Sequence, residues 1–326
     1  MRMRYRRRLL IAAGALAGLP GTGSAQAAYP NKPVRIITPY PPGGPTEILA
    51  RLLGAKLQDR FGQPFVIESR AGAGGNVGTD YVAKSPPDGY TLLMGASGPL
   101  SINVTLFSSL PYDPTRDLAA VVLVASVPLV LTVNAAVPAT TVKELMDLLR
   151  AKPDALSYAS AGNGSPQHLS AELFKEMTGL RIVHVPYKGS GPAINDLIAG
   201  QVQLSFESMI GILPHLHGKR VRALAVTSER RSRMLPDVPT LAEAGVPGYQ
   251  SIAWYGIMAP GATPKEIIAR LNREMGAVLD QPDIKGRLEE LGSPPVHGTP
   301  EEFSAFIRAE IAKWGRVVKA SGAKVD

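Results

Sequence analysis

Short β-branched runs alternate along this chain with longer stretches whose apolar residues recur every three or four positions. Residues 33–38 and 65–68 are brief and rich in Val and Ile, which predicts strands. Between them, residues 46–61 carry Leu49, Leu53 and Leu57 at four-residue spacing, with Ile48 and Leu52 beside them, which predicts an amphipathic helix. The alternation continues with a short helix over 76–83, a strand over 90–96, and a helix over 165–178 striped by Leu169, Leu173 and Met177. Further strands are expected over 182–185, 202–206 and 221–227. Two helices close the chain, 265–279 and 300–320, the second with Phe303, Ile307, Ile311, Trp314 and Val318 in register. Strands separated by ten-to-fifteen-residue helices predict an α/β architecture with mainly parallel sheets.

The Val-rich stretch 118–137 contains Pro128 and is followed by Pro138, and reads as two buried strands. Within it the run 121–133, and the region 248–255, both look like connections. A chain that crosses out and later returns makes two lobes joined by two crossovers, with a cleft between them. The expected division is 28–125 with 253–326 as one lobe and 126–252 as the other. A single larger sheet is the rival arrangement.

Residues 1–27 hold five arginines and no acid, then an apolar run over 9–19, then Ala25-Gln26-Ala27 as a small-residue cleavage point. That order is an export signal, expected to be cleaved before Ala28 and to place the protein in the periplasm. The apolar run is too short for the ~20 residues of a spanning helix. The leader changes the charge argument. The whole chain has 35 basic and 27 acidic residues, net +8; without the leader the count is 30 against 27, or +3. Arg230-Arg231-Ser232-Arg233 is short and lacks interleaved aromatics, so nucleic acid is not an expected partner. The chain has no cysteine, which excludes disulfides, thiolate metal sites and a cysteine nucleophile.

The polar chemistry gathers in four loops of one design, a strand followed by a Gly/Pro/Ser turn and a helix start. They span 38–47, 70–79, 160–168 and 187–192. Pro45, Pro166 and Pro192 suit a first helical position, and Ser165 suits an N-cap. Each helix start leaves N–H groups without intrahelical partners and carries partial positive charge. Any one such loop needs glycine merely to turn; four facing one cleft would bind an anion with little help from Arg or Lys.

Other motifs fail. The spacing from Gly72 is not that of a dinucleotide loop, and there is no Walker loop and no G-x-S-x-G elbow. Ser165 and His168 lie three apart, but a capping Ser beside a pocket or surface His is the preferred reading over a nucleophile and base. His215-Leu216-His217 lacks a third ligand and reads as a surface turn; His184 reads as a core histidine bonded to backbone. Trp254 and Tyr255 either line the cleft or fill the packing between lobes. No metal or cofactor is expected.

As an ensemble the loops resemble the periplasmic solute-binding receptors of the tripartite tricarboxylate transporter family, the Bug receptors. The pieces are Tyr40-Pro41-Pro42-Gly43-Gly44-Pro45-Thr46, Gly72-Ala73-Gly74-Gly75-Asn76-Val77-Gly78, Pro87-Asp88-Gly89-Tyr90, Tyr158-Ala159-Ser160-Ala161-Gly162-Asn163-Gly164-Ser165, Val185-Pro186-Tyr187-Lys188-Gly189 and Asp237-Val238-Pro239-Thr240. The resemblance implies a two-lobed type II periplasmic-binding-protein fold that closes on a small carboxylate. It implies carboxylate-holding loops at Tyr40, Gly43, Gly44, Thr46, Ala73, Gly74, Asn76 and Thr79, acting through backbone amides and waters. It implies that Ser160, Gly162, Asn163, Ser165, His168, Tyr187 and Glu207 close from the other lobe. Glu47 and Glu207 stand where the family usually, or often, has Asp. Negative charge at Glu207 would favour a monocarboxylate, an amino acid or a polar-ended acid over citrate.

The leading expectation is therefore a non-catalytic receptor for a small organic carboxylate (organic acid or amino acid), a monomer that hands its ligand to membrane transporter subunits in transient contact. The alternatives are a co-receptor for a signalling kinase and an exported hydrolase using Ser165 and His168.

Overall fold

The computed structural model describes residues 29–216, 218–293, 296–321 and 324–325. The expected export signal over 1–27 and His217 lie outside the described residues.

The first part of the chain runs β1 (Val34–Thr38), α1 (Pro45–Phe61), β2 (Phe65–Ser69), α2 (Asn76–Ala83) and β3 (Thr91–Ala96), then a π-helical turn over Gly98–Ile102 and α3 (Asn103–Leu106). After β4 (Leu118–Asn134) come α4 (Val142–Ala151), β5 (Ser157–Ser160), α5 (Pro166–Thr178), β6 (Val183–Pro186), α6 (Ser190–Ala199), β7 (Leu204–Ser208), α7 (Met209–Leu216) and β8 (Val221–Val226). The chain closes with β9 (Ile252–Pro260), α8 (Lys265–Leu279), α9 (Pro282–Glu290) and α10 (Pro300–Ser321).

The strands follow the order β2-β1-β3-β9-β4-β7-β5-β6, with β8 also paired to β4. β1 pairs parallel with β2 and β3, and β5 parallel with β6 and β7. Every pair involving β4 or β9 is antiparallel, so the expectation of mainly parallel pairing holds only away from the centre. The reason is chain direction: β4 leaves the first set of strands for the second, and β9 comes back beside it.

β4 is one strand of 17 residues, not the two that its prolines suggested. At ~3.3 Å per residue it reaches roughly 55 Å, enough to serve two sheets. Its first part pairs with β9, from Leu118↔Pro260 to Pro128↔Ile252. Its second part pairs with β7, from Leu129↔Ser208, and with β8. Pro128 falls at the handover, where a missing N–H breaks no continuous ladder. Thr227 bridges the handover, since Leu129 N donates to Thr227 Oγ1 at 2.8 Å and Thr227 N to the Leu129 carbonyl at 2.9 Å.

Helix positions follow from their apolar stripes. α1 starts on Pro45, ends on Gly62 in the left-handed region, and buries Leu49, Leu53 and Leu57 completely or nearly so. Each such leucine stabilises the fold by about 1.5–3 kcal/mol. α10 buries Phe303 and Ile307 beside Trp254 and Met258, and its second half packs Trp314 and Val318 against Ile102, Leu106 and Leu169. Leu169 belongs to α5, so α10 also packs against a helix that flanks the second set of strands. Trp254 is thereby placed in packing, with Phe303 and Phe306 edge-on at 5.8 Å and 5.3 Å. His215 sits in the last turn of α7 rather than in a turn of its own.

Candidate functional site

The four Gly/Pro/Ser loops follow β1, β2, β5 and β6, so the parallel pairing puts all four at one end of their strands. There they meet. A cavity of about 530 Å³ is lined by Tyr40 and Pro41 from the first loop, 71–75 from the second, 161–163 from the third, and 186–188 from the fourth. Phe107 and Val325 complete its wall. Lys188 at its rim is exposed and makes no ion pair among the described residues.

Behind Tyr40 and Ala161 lies a smaller chamber of about 20 Å³. Its lining is made of helix starts: Gly44, Pro45 and Thr46 of α1, Pro166 and Gln167 of α5, and Ser190 of α6, with Ala96 and Tyr255 closing it. Pro45 and Pro166 hold the first helical position as expected; Pro192 sits two residues further in, after Gly189 as N-cap. Three helix N-termini thus aim partial positive charge at one small space. Two of the lining side chains, Thr46 and Gln167, present buried oxygens without a partner, as does Glu207 just behind them. Buried polar atoms are normally satisfied, so such a concentration marks a place built for a polar guest.

The loops of the two strand sets touch across this space. Gly74 has φ +63, and a Cβ built there would overlap the Asn163 carbonyl oxygen. Gly164 has φ +78, and a Cβ there would overlap Asn103 Oδ1. Glycine at both positions supplies the left-handed backbone and the close approach together. Tyr40 donates its hydroxyl to the Gly74 carbonyl at 3.0 Å, and Asn103 Nδ2 reaches the same carbonyl at 3.3 Å.

Of the residues singled out from sequence, Tyr40, Gly44, Thr46, Ala73, Gly74, Gly162, Asn163 and Tyr187 line one or both spaces. The rest stand behind them as braces. Gly43 N donates to Glu47 Oε2 at 2.7 Å, which holds that carboxyl below the usual range and pins the turn. Asn76 Oδ1 accepts from Asn103 Nδ2 at 2.6 Å and from the Tyr112 hydroxyl at 2.9 Å. Thr79 donates back to the Gly75 carbonyl at 2.9 Å. Ser165 caps α5 by accepting from the His168 amide, while the His168 ring takes the Gly164 N–H at 3.2 Å. The Ser165 hydroxyl therefore serves the helix end rather than the imidazole, and no nucleophile–base contact forms.

Ser160 is bonded to His184 Nε2 at 2.7 Å, so His184 is held by a side-chain hydroxyl and not by backbone as expected. Tyr158, His184 and His168 stack in sequence, with centroids 4.7 Å and 4.3 Å apart. Burial pushes His168 down to about 4 and His184 down to about 3. Tyr187 donates to Asp196 Oδ2 at 2.7 Å and is pushed up to about 12 by burial and that bond.

Glu207, on β7, is fully buried, and burial pushes its carboxyl up to about 7. Its Oε1 accepts from Gln167 Nε2 at 2.9 Å and from its neighbour's amide, Ser208 N, at 2.8 Å. The chamber wall in front of it is Gln167, Ser190 and Tyr255, none of which was singled out as a ligand residue from sequence. Gln167 carried one legible signal, its place in the first turn of a helix that follows a glycine loop. Tyr255 was one of the two residues expected either to line the cleft or to fill packing, and it lines the chamber; Ala96 carried no signal, since strands far apart in sequence bring it there. Among the described residues, no group of three His, Asp or Glu is placed to hold a metal.

Comparison with known proteins agrees with this geometry. The model of the tripartite tricarboxylate transporter family receptor matches residues 49–323. Protein BugT of Bordetella pertussis is 42% identical over 312 residues, covering 95% of each chain. Among solved structures, Rpa4515 of R. palustris with adipate superposes with a TM-score of 0.89 at 41% identity, covering 91% of this chain and 100% of that one. MatC of Rhodopseudomonas palustris with bound malate gives 0.86 at 35%, covering 89% and 100%. PhnD1 of Prochlorococcus marinus, 10% identical with a TM-score of 0.55, shares the fold alone. The fold is thus the two-lobed periplasmic-binding-protein arrangement, and the chain belongs to the tripartite tricarboxylate transporter receptor family.

Proposed function

We propose that this receptor captures a small organic carboxylate between its lobes in the periplasm and delivers it to membrane subunits of a transporter. The observation that carries the reading is the inner chamber, where the N-termini of α1, α5 and α6 converge beside the unpartnered Thr46 hydroxyl. A carboxylate is an acceptor that free N–H groups and helix dipoles stabilise without a counter-cation. Two family members with adipate and with malate support the ligand class.

The lobes are 28–125 with 253–326, and 126–252, hinged where β4 passes Pro128 and where β9 begins. A space of about 20 Å³ holds little more than one water, so an organic acid reaches Thr46 and Gln167 only when the lobes part. Lys188 at the rim of the outer cavity draws the anion inward. Backbone amides of the glycine loops then hold the acid as the lobes close.

The test is a thermal-shift and calorimetric panel of acetate, malate, adipate, citrate, aspartate and nicotinate. At least one should raise the melting temperature in a saturable way; ligand at 100 times its Kd stabilises by about 2.7 kcal/mol. No shift and no heat with any of the six overturns the reading.

A further inference from the structure

We propose that Gln167 and Glu207 couple ligand capture to a proton: a carboxylate entering the inner chamber binds together with one H⁺, which settles on Glu207. The inference rests on the carboxylate reading above and goes beyond it, because it states what the ligand end must be and how capture varies with pH.

The argument is a count of donors and acceptors. Gln167 Nε2 has two N–H groups and uses them on Ser190 Oγ and Glu207 Oε1, both at 2.9 Å. Gln167 Oε1 is left without a partner, and so is Glu207 Oε2. Two side chains joined to each other thus hold two buried acceptors, and the Ser190 hydroxyl beside Glu207 supplies at most one donor for the pair, leaving an acceptor unmet. An acceptor in that state costs about 1–3 kcal/mol. Ionised Glu207 also fixes the amide, because turning it would set Gln167 Oε1 against a carboxylate oxygen. In that form the chamber wall offers a carbonyl oxygen backed by negative charge. A ligand carboxylate, itself only an acceptor, has the helix starts and the Thr46 hydroxyl as donors but meets an opposing acceptor at Gln167.

One proton resolves the mismatch. A protonated Glu207 donates from its carboxylic O–H to Gln167 Oε1. The amide turns to receive it, and Nε2 faces the chamber as a donor for the incoming carboxylate. The proton comes from solvent and no other bond changes. The surroundings permit this. Glu207 has no ion pair among the described residues. α5 presents Gln167 to it, α6 Ser190 and α7 Gly211, whose built Cβ lies 3.7 Å from Oε1. β4 pairs with it through Val130. The titratable group facing it is Tyr255 of β9, itself held neutral by burial. With burial already keeping the Glu207 carboxyl near neutral range, an adjacent ligand anion draws the proton on. A ligand presenting an ammonium at this end would do the opposite, bind the ionised form and release a proton.

The experiment is calorimetry of the full mature chain with the tightest binder of the six-acid panel, at pH 6.5, 7.5 and 8.5. Each titration is run in buffers of low and high ionisation enthalpy, which gives the number of protons exchanged. Uptake approaching one proton per ligand at pH 8.5 is expected, with affinity falling up to tenfold per pH unit above about 7. In Glu207→Gln, which keeps the shape and cannot titrate, uptake should vanish and the affinity should vary less than twofold across the range. Binding with no proton exchange in the wild-type protein, or with release, overturns the inference and leaves the carboxylate reading standing. Proton uptake unchanged in Glu207→Gln overturns the assignment to this residue. The wild-type measurement decides without any variant, so a poorly folding Glu207→Gln does not shelter the idea. Failure of all six acids to bind overturns the underlying reading itself.

Discussion

Replacing Gly74 by Ala separates closure of the lobes from stability of the fold. Gly74 has φ +63, and Gly62, the C-cap of α1, has φ +67. An alanine in that left-handed conformation costs about 1–2 kcal/mol at either position, whether the cleft is open or closed. The two sites differ in what the new methyl meets. At Gly62 nothing lies within 4 Å of a built Cβ; at Gly74 the Cβ overlaps the Asn163 carbonyl oxygen across the cleft. Backbone cannot swing aside as a side chain does, so the closed arrangement must loosen. Overpacking of this kind costs about 1–3 kcal/mol after relaxation. That term is absent when the lobes are apart, so it falls on ligand affinity, about 5- to 150-fold. Both variants should therefore melt a few degrees below wild type by similar amounts, while only Gly74→Ala binds weakly in calorimetry. Small-angle scattering at saturating ligand should show a larger radius of gyration for Gly74→Ala alone. Equal affinity in the two variants would refute the reasoning, because the contact between Gly74 and Asn163 would then not belong to the bound form. Gly44, whose built Cβ meets only the Pro41 carbonyl at 3.9 Å, should tolerate Ala far better than Gly74.

The stacked histidines set an acid limit. His168 and His184 have folded values lowered to about 4 and about 3 from 6.5, so their contribution to stability is complete above pH 6.5 and is lost as pH falls towards those values. Each contributes up to about 1.4 kcal/mol per pH unit in that window. Glu207, raised to about 7 from 4.5, has the opposite sign: its burial penalty is absent below 4.5 and grows as pH rises towards 7. Urea midpoints of wild type and His184→Gln between pH 6.5 and 4.5 isolate the histidine part; the variant should show the shallower slope, and parallel curves would dismiss the idea. Glu310 Oε2 accepts from the indole N–H groups of Trp254 and Trp314, both at 3.0 Å. Glu310→Leu strands two buried donors and should cost about 2–5 kcal/mol in urea denaturation, whereas Glu310→Gln should cost about 1 kcal/mol. Similar losses in both would mean that packing, not the bonds, holds the two tryptophans.

Much of the scaffold could be read from local rules. The leucines of α1 repeat at helical spacing, Pro45 and Pro166 open their helices, and Ser165 caps α5, because these effects act within one turn of chain. The four glycine loops were legible for the same reason, and so was their common chemistry. Their internal division of labour was not. Asn76, Thr79, Ser160 and His168 share loops with Gly74 and Gly162, yet their polar atoms turn away to brace Asn103, Gly75, His184 and Gly164. Which side of a loop faces the cleft depends on partners about 4 to 36 residues away, which no periodicity records.

By itself the sequence determined the alternation of strands and helices, the glycine-rich turns that carry the site, and the family, since these follow from spacing and from motifs a few residues long. Tertiary structure alone decided that β4 runs unbroken through Pro128, because only the change of partner from β9 to β7 makes its missing N–H harmless. It also decided that Gln167 and Tyr255 wall the inner chamber while Glu207 stands behind them. Those positions are set by strands and helices brought together over long stretches of chain. There, burial and the supply of hydrogen-bond partners, rather than local preference, fix what each side chain does.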